Sequence, residues 1–169
     1  MNIKTYKSLL LLGLFTIVGF YTSFGQSKDD KKQKEYTEIH NLVNSKNYVF
    51  VAQTVLPIGG RSINLTSPYN LKVSGDTVVS DLPYFGRAFV APIDPSEAGI
   101  QFTSTNFNYN LKERKKGGWD IAILPKDTKD VRQMTLNVTE GGYGTLQVIS
   151  NNKQQISYNG YIRAAKSKT

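Results

Sequence analysis

From Tyr48 onward the apolar residues of this chain recur at every second position, in short runs separated by turn residues. Tyr69, Leu71 and Val73 alternate with Asn70, Lys72 and Ser74; Gly75-Asp76 turns the chain, and Thr77 to Leu82 runs back. Tyr109 and Leu111, Trp119, Ile121 and Ile123, then Met134, Leu136 and Val138 repeat the pattern, as do Leu146 and Val148, and Ile156 and Tyr158. Lys116-Gly117-Gly118, Pro125 to Asp130, Gly141-Gly142 and Asn151-Asn152-Lys153 punctuate them. A period of two is that of a strand with one buried and one solvated face. Connections this short permit only antiparallel neighbours, because a parallel pair needs a crossover of a dozen or more residues.

Together with Tyr48 to Ala52, which is apolar on both faces, this gives about eight strands. The fold class is therefore all-β, and a meander of that length closes into a lipocalin-like up-and-down barrel, because closure removes exposed edges. A β-sandwich is the alternative. Ala91 to Phe107, with Pro92, Pro95 and Gly99, breaks the pattern and reads as an irregular flap or lid loop. One short helix is expected before the strands, where Tyr36, Ile39, His40 and Val43 fall at helical spacing and Asn44 to Asn47 ends the run.

The remaining segments divide simply. Lys4 and Lys7 precede an apolar stretch from Leu9 to Phe20, and Ser23 and Gly25 supply small residues before a cleavage point at Gly25–Gln26. Residues 1–25 are thus expected to be a cleaved signal peptide, which implies export to the periplasm or beyond and no transmembrane span in the mature chain. Residues 26–34 read as a disordered leader, 35–164 as a single barrel domain and 165–169 as a C-terminal tail. The chain has no cysteine, which removes disulfides and the lipid anchor of a bacterial lipoprotein. The formal charge is +8, and loss of Lys4 and Lys7 with the leader leaves +6. Such a surface favours an anionic small molecule, a glycan or another acidic envelope component as partner, and export argues against nucleic acid.

Four stretches carry a resemblance as well as a pattern. They are Gly59-Gly60-Arg61-Ser62-Ile63-Asn64-Leu65, Val73-Ser74-Gly75-Asp76-Thr77-Val78, Leu82-Pro83-Tyr84-Phe85-Gly86-Arg87-Ala88 and Ile156-Ser157-Tyr158-Asn159-Gly160. In order and spacing the chain from Tyr36 to Ile162 resembles the exported bacterial family known as domain of unknown function 4251. The resemblance implies an exported lipocalin-like barrel and no established activity, so it brings no catalytic residue with it.

The candidate chemistry is sparse. His40 is the only histidine and there is no cysteine, so no metal site or cofactor is expected. Asp127 and Asp130 read as turn residues. No Gly-x-Ser-x-Gly elbow occurs, and no catalytic residue is assigned. A carboxylate-dependent hydrolase would need a second acid facing Asp81. Gly59-Gly60 after Pro57 reads first as a sharp turn and second as an anion-holding nest. Trp119 keeps phase with Ile121 and Ile123, as a core or barrel-floor residue does. The candidate ligand-binding residues are Arg61, Tyr84, Phe85 and Arg87, where guanidinium groups beside aromatic faces suit anionic or sugar-like ligands. The expected function is non-enzymatic binding of a ligand or partner in the cell envelope. An interaction module without a pocket is the alternative, and a barrel filled with aliphatic side chains would favour it.

Overall fold

In the computed structural model, which describes residues 23–90 and 98–165, one helix precedes ten described strands. Helix α1 is Ser23–Ser45, and the strands are β1 Asn47–Pro57, β2 Ile63–Asn64, β3 Asn70–Ser74, β4 Thr77–Leu82, β5 Ile100–Ser104, β6 Phe107–Glu113, β7 Trp119–Pro125, β8 Val131–Val138, β9 Tyr143–Ser150 and β10 Ile156–Ala164. Most of the expected signal segment, up to residue 22, lies outside the described residues, as does the end of the tail from residue 166.

The chain divides into two units after Glu35. In the first, residues 26–34, expected to be a disordered leader, are helical. The segment is polar but contains no Gly or Pro, and its Lys and Gln residues are good helix formers. Asp30 stands four residues before Lys34, a favourable charge order on a helix.

The second unit is a barrel. Its strands pair antiparallel in the order β5-β4-β3-β1-β10-β9-β8-β7-β6, with the two-residue β2 laid against β1. Apart from β2, chain order and spatial order agree, and β1 meets β10 over nine residue pairs. This is a nearly closed up-and-down barrel, as the alternation of side chains requires.

The pairings also settle what β5 and β6 are. Followed round the sheet, they force β5 and β6 to run in the same sense, and only Thr105 and Asn106 separate them. They therefore act as one strand bent in the middle, its first half paired with β4 and its second with β7. Counted that way, the barrel has the expected eight staves. The irregular reading of Ala91 to Phe107 is corrected in its second half, where Ile100, Phe102 and Ser104 turn inward in strict alternation.

The barrel is filled. Tyr48, Phe50, Leu71, Val73, Val78, Leu82, Ile121, Ile123, Met134, Leu136, Val138, Leu146 and Tyr158 are completely buried and form one cluster. At one end the part of α1 within this unit closes the floor. Ile39 and Val43 join the core, Tyr36 lies 5.4 Å from the Trp119 ring, and the Tyr109 hydroxyl donates to the Val43 carbonyl at 3.0 Å. Trp119 is a floor residue, as its phase predicts. Burial, opposed by the neighbouring Tyr48 hydroxyl, pushes Tyr109 up to about 12. β1 bulges at Gln53 on its way to the opposite end. Gly160 sits across from that bulge, where a Cβ would come within 1.9 Å of the Val51 carbonyl oxygen.

Candidate functional site

The end of the barrel opposite the helix is built from four connections: β1–β2, β4–β5, β7–β8 and β9–β10. All four sequence-picked residues lie there. Arg61 follows the corner Pro57-Ile58-Gly59-Gly60, where the Gly60 amide donates to the Pro57 carbonyl at 3.2 Å and Gly59 takes a φ of 74°. That is the positive φ a type II turn needs at its third residue. Because Gly60 N–H is spent inside the turn, the corner reading prevails over the anion nest.

Tyr84, Phe85 and Arg87 lie on the β4–β5 loop. Tyr84 is half-buried, and its hydroxyl faces the carbonyls of Arg87 at 2.8 Å and Gln154 at 2.9 Å, which share its one proton. Burial raises its pKa, the Gln154 bond opposes this, and the nearby Asp130 charge adds to it. The backbone of the loop is stitched to the β9–β10 turn, Gln154 N–H to Arg87 carbonyl at 2.9 Å and Phe89 N–H to Asn152 carbonyl at 2.8 Å. Tyr84 is thus a brace for the loop. Phe85 and the side chains of Arg61 and Arg87 are exposed. Among the described residues, neither guanidinium has a hydrogen bond or ion pair, and no such contact joins Arg61 to the β4–β5 loop. Asp76 and Asp81, the acids nearest in sequence, are held by Thr77 and Gln101 instead.

Beneath the rim is a polar network that the sequence reading did not find. Lys153 is 9% exposed, and its ammonium donates to Asp130 at 2.6 Å and to the Gly99 carbonyl at 3.1 Å. Asp130 also accepts from the Ser150 hydroxyl and, at 3.3 Å, from the Asn152 amide. Burial works against the Asp130 carboxylate, but the bonds from Lys153 and Ser150 and the Lys153 charge outweigh it, so its pKa falls below the ordinary value. From inside the barrel the Tyr158 hydroxyl donates to the Pro83 carbonyl at 2.7 Å, and burial, with the neighbouring Tyr84, raises its pKa. These groups pin three connections over the barrel end. Asp127 does the same for the bent strand. It accepts from the Ser104 hydroxyl at 2.5 Å and the amides of Thr105 and Asn106 at 2.9 and 3.1 Å, and these bonds, Ser104's first, lower its pKa.

The same rim exposes apolar side chains. Ile58 is 55% exposed and Phe89 66%, with Val90 next to Phe89 in the chain, and Leu56 and Ile63 are exposed on β1 and β2 on either side of the Ile58 corner. The hydrolase requirement finds no support: Asp81 points outward from β4, and its partners in register, Asn70 and Gln101, are not acidic. Among the described residues, no group of three or more His, Cys, Asp or Glu side chains is arranged to hold a metal ion, and no helix is long and apolar enough to cross a membrane.

A filled, nearly closed antiparallel barrel floored by a helix and rimmed by pinned loops defines the class. The chain belongs to the family described as a domain of unknown function, DUF4251, whose model matches residues 30–162. A DUF4251 family protein from Bacteroides eggerthii DSM 20697 shares the fold in its crystal structure, with a TM-score of 0.58 at 15% sequence identity, covering 77% of this chain and 87% of that one. No curated protein matches the sequence significantly.

Proposed function

We propose that the protein is an exported, non-enzymatic binding module of the cell envelope that engages an anionic partner on the loop rim rather than a ligand inside the barrel. The observation that carries this reading is the pairing of a filled interior with a rim that exposes Ile58, Phe85 and Phe89 beside Arg61 and Arg87. Exposed apolar residues scattered singly are ordinary; several on one barrel end, among cations without a partner among the described residues, are what an interface presents. Arg on such a rim meets carboxylate or phosphate through two parallel hydrogen bonds. The sequence expectation of Arg61, Phe85 and Arg87 as contact residues is kept, with Tyr84 as the brace that holds them.

Native mass spectrometry of the mature protein purified from its own envelope tests this. A co-purifying anionic small molecule or partner chain is expected, and it should be lost in an Arg61→Ala, Arg87→Ala double variant whose melting temperature is unchanged. Retention of the same species by that variant would overturn the rim as the site.

A further inference from the structure

The outer wall of the barrel carries a second surface, remote from the loop rim. Across β8, β9, β10 and β1 runs one row of outward polar side chains: Asn137 opposite Thr145, Thr145 opposite Asn159, and Asn159 opposite Thr54. Toward the helix end the wall dips into a groove of about 360 Å³ lined by Gln53, Arg114, Asn137, Tyr143, Thr145 and Asn159. Gly144 and Gly160, paired in register, also border it with their backbone. The volume falls at the lower end of the range of small-ligand sites, about 300–1,000 Å³.

Hydrogen-bonding capacity is left over in this groove. Asn137 donates its amide N–H to Asp120 at 2.7 Å, and Thr145 donates its hydroxyl to the Asn159 side-chain oxygen at 2.9 Å. That leaves the Asn137 side-chain oxygen, the Asn159 side-chain NH₂ and the whole Gln53 side-chain amide without a partner among the described residues. Arg114 spends one terminal nitrogen on the Val138 carbonyl at 2.7 Å, while its buried Nε–H, 3.3 Å from Asp120, makes no hydrogen bond. At the edge stands Tyr143, 67% exposed. Its ring borders the groove and is open to a ligand seated there.

We infer that this groove is a carbohydrate-binding site for one or two pyranose units. A sugar hydroxyl both donates and accepts, which matches planar amides offering a free oxygen in one place and a free NH₂ in another. The C–H face of a pyranose is apolar and flat, which matches an exposed tyrosine ring whose hydroxyl stays in water. The competing ligand chemistries fit less well. A phosphate needs net positive charge, and Asp120 offsets Arg114. A lipid chain needs an enclosed slot, and this groove lies open to solvent. The inference does not depend on the rim reading, since the two surfaces share no residue.

The test is retention of the mature full-length protein on immobilised cello-, manno- and chito-oligosaccharides, followed by calorimetric titration of the retained sugar. At least one sugar should bind, and Tyr143→Ala and Asn159→Ala should each weaken it tenfold or more with an unchanged melting temperature. The Arg61→Ala, Arg87→Ala variant should bind it like wild type, which separates this site from the rim. No retention on any of the three sugar classes, or retention that Tyr143→Ala leaves intact, would overturn the inference.

Discussion

Lys153 occupies a position the sequence marks only as the end of an Asn-Asn-Lys turn, yet among the described residues it is the one buried cation. It is nearly buried, and its partner Asp130 is one-quarter exposed, so removing the carboxylate charge takes away the charge that balances an ammonium in a poorly hydrated site. Breaking such a pair from one side costs more than the pair contributes, because an uncompensated charge is left behind. Asp130→Asn should therefore lower stability by about 2–3 kcal/mol at pH 7, discounted from the fully buried case for residual hydration. The pH dependence follows from the direction of the shift. The Asp130 pKa is lower in the folded chain than the ordinary carboxylate value of about 3.9. Its contribution is then complete above that value and is lost as pH falls through the depressed folded value. Urea melts of wild type and Asp130→Asn should differ at pH 7 and converge toward pH 2; a constant gap across that range would show that the charge is not the cause. Local composition hides this network, because its members come from β4–β5, β7–β8 and β9–β10 and meet only through the topology.

At the scale of elements, the strands that alternate cleanly and end in Gly or Asn turns were readable. β7, β8 and β10 carry Trp119-Ile121-Ile123, Met134-Leu136-Val138 and Ile156-Tyr158 on the inward face, as the pattern predicts. The first half of the bent strand was not readable in the same way. Ile100 and Phe102 alternate with Gln101 and Thr103, but Pro92, Pro95 and Gly99 just upstream weigh toward loop. What shapes that strand lies elsewhere in the chain: Asp127, on the β7–β8 connection, holds Ser104, Thr105 and Asn106 at the bend. Asp127→Ala should release the bend without unfolding the barrel. Amide exchange at Thr105 and Asn106 should quicken by about tenfold while β8, β9 and β10 remain protected, since local openings involve only the contacts they break. Equal loss of protection across all strands would show instead that the bend is part of the global folding unit. Helix α1 shows the converse case, in which propensity extends an element well beyond the face that tertiary packing uses. Its apolar stripe begins only at Tyr36, while the helix begins at Ser23.

For the molecule as a whole, the filled interior is the fact from which stability and the proposed function both follow. A chain without cysteine has no cross-link to restrain its unfolded state, so the barrel rests on one apolar cluster that runs from Ile39 and Trp119 at the floor to Leu82 and Tyr158 beneath the loops. With the interior occupied, both surfaces proposed for recognition, the rim and the wall around Tyr143, lie on the outside. The single-cluster architecture makes a measurable claim, because a domain with one contiguous core unfolds in a single cooperative step. Trp119, the one tryptophan in the chain, is 1% exposed at the floor, so its emission reports that end. Far-ultraviolet circular dichroism reports all the strands together. In urea the two signals should therefore change along one curve with one midpoint. The Asp130→Asn variant, altered at the opposite end, should move both midpoints by the same amount, since a local loosening of the loops cannot reach the floor unless the core transmits it. A tryptophan transition that stayed at the wild-type midpoint while the dichroism curve moved would mean that floor and rim unfold separately, and that the barrel is two cooperative units joined through the bent strand.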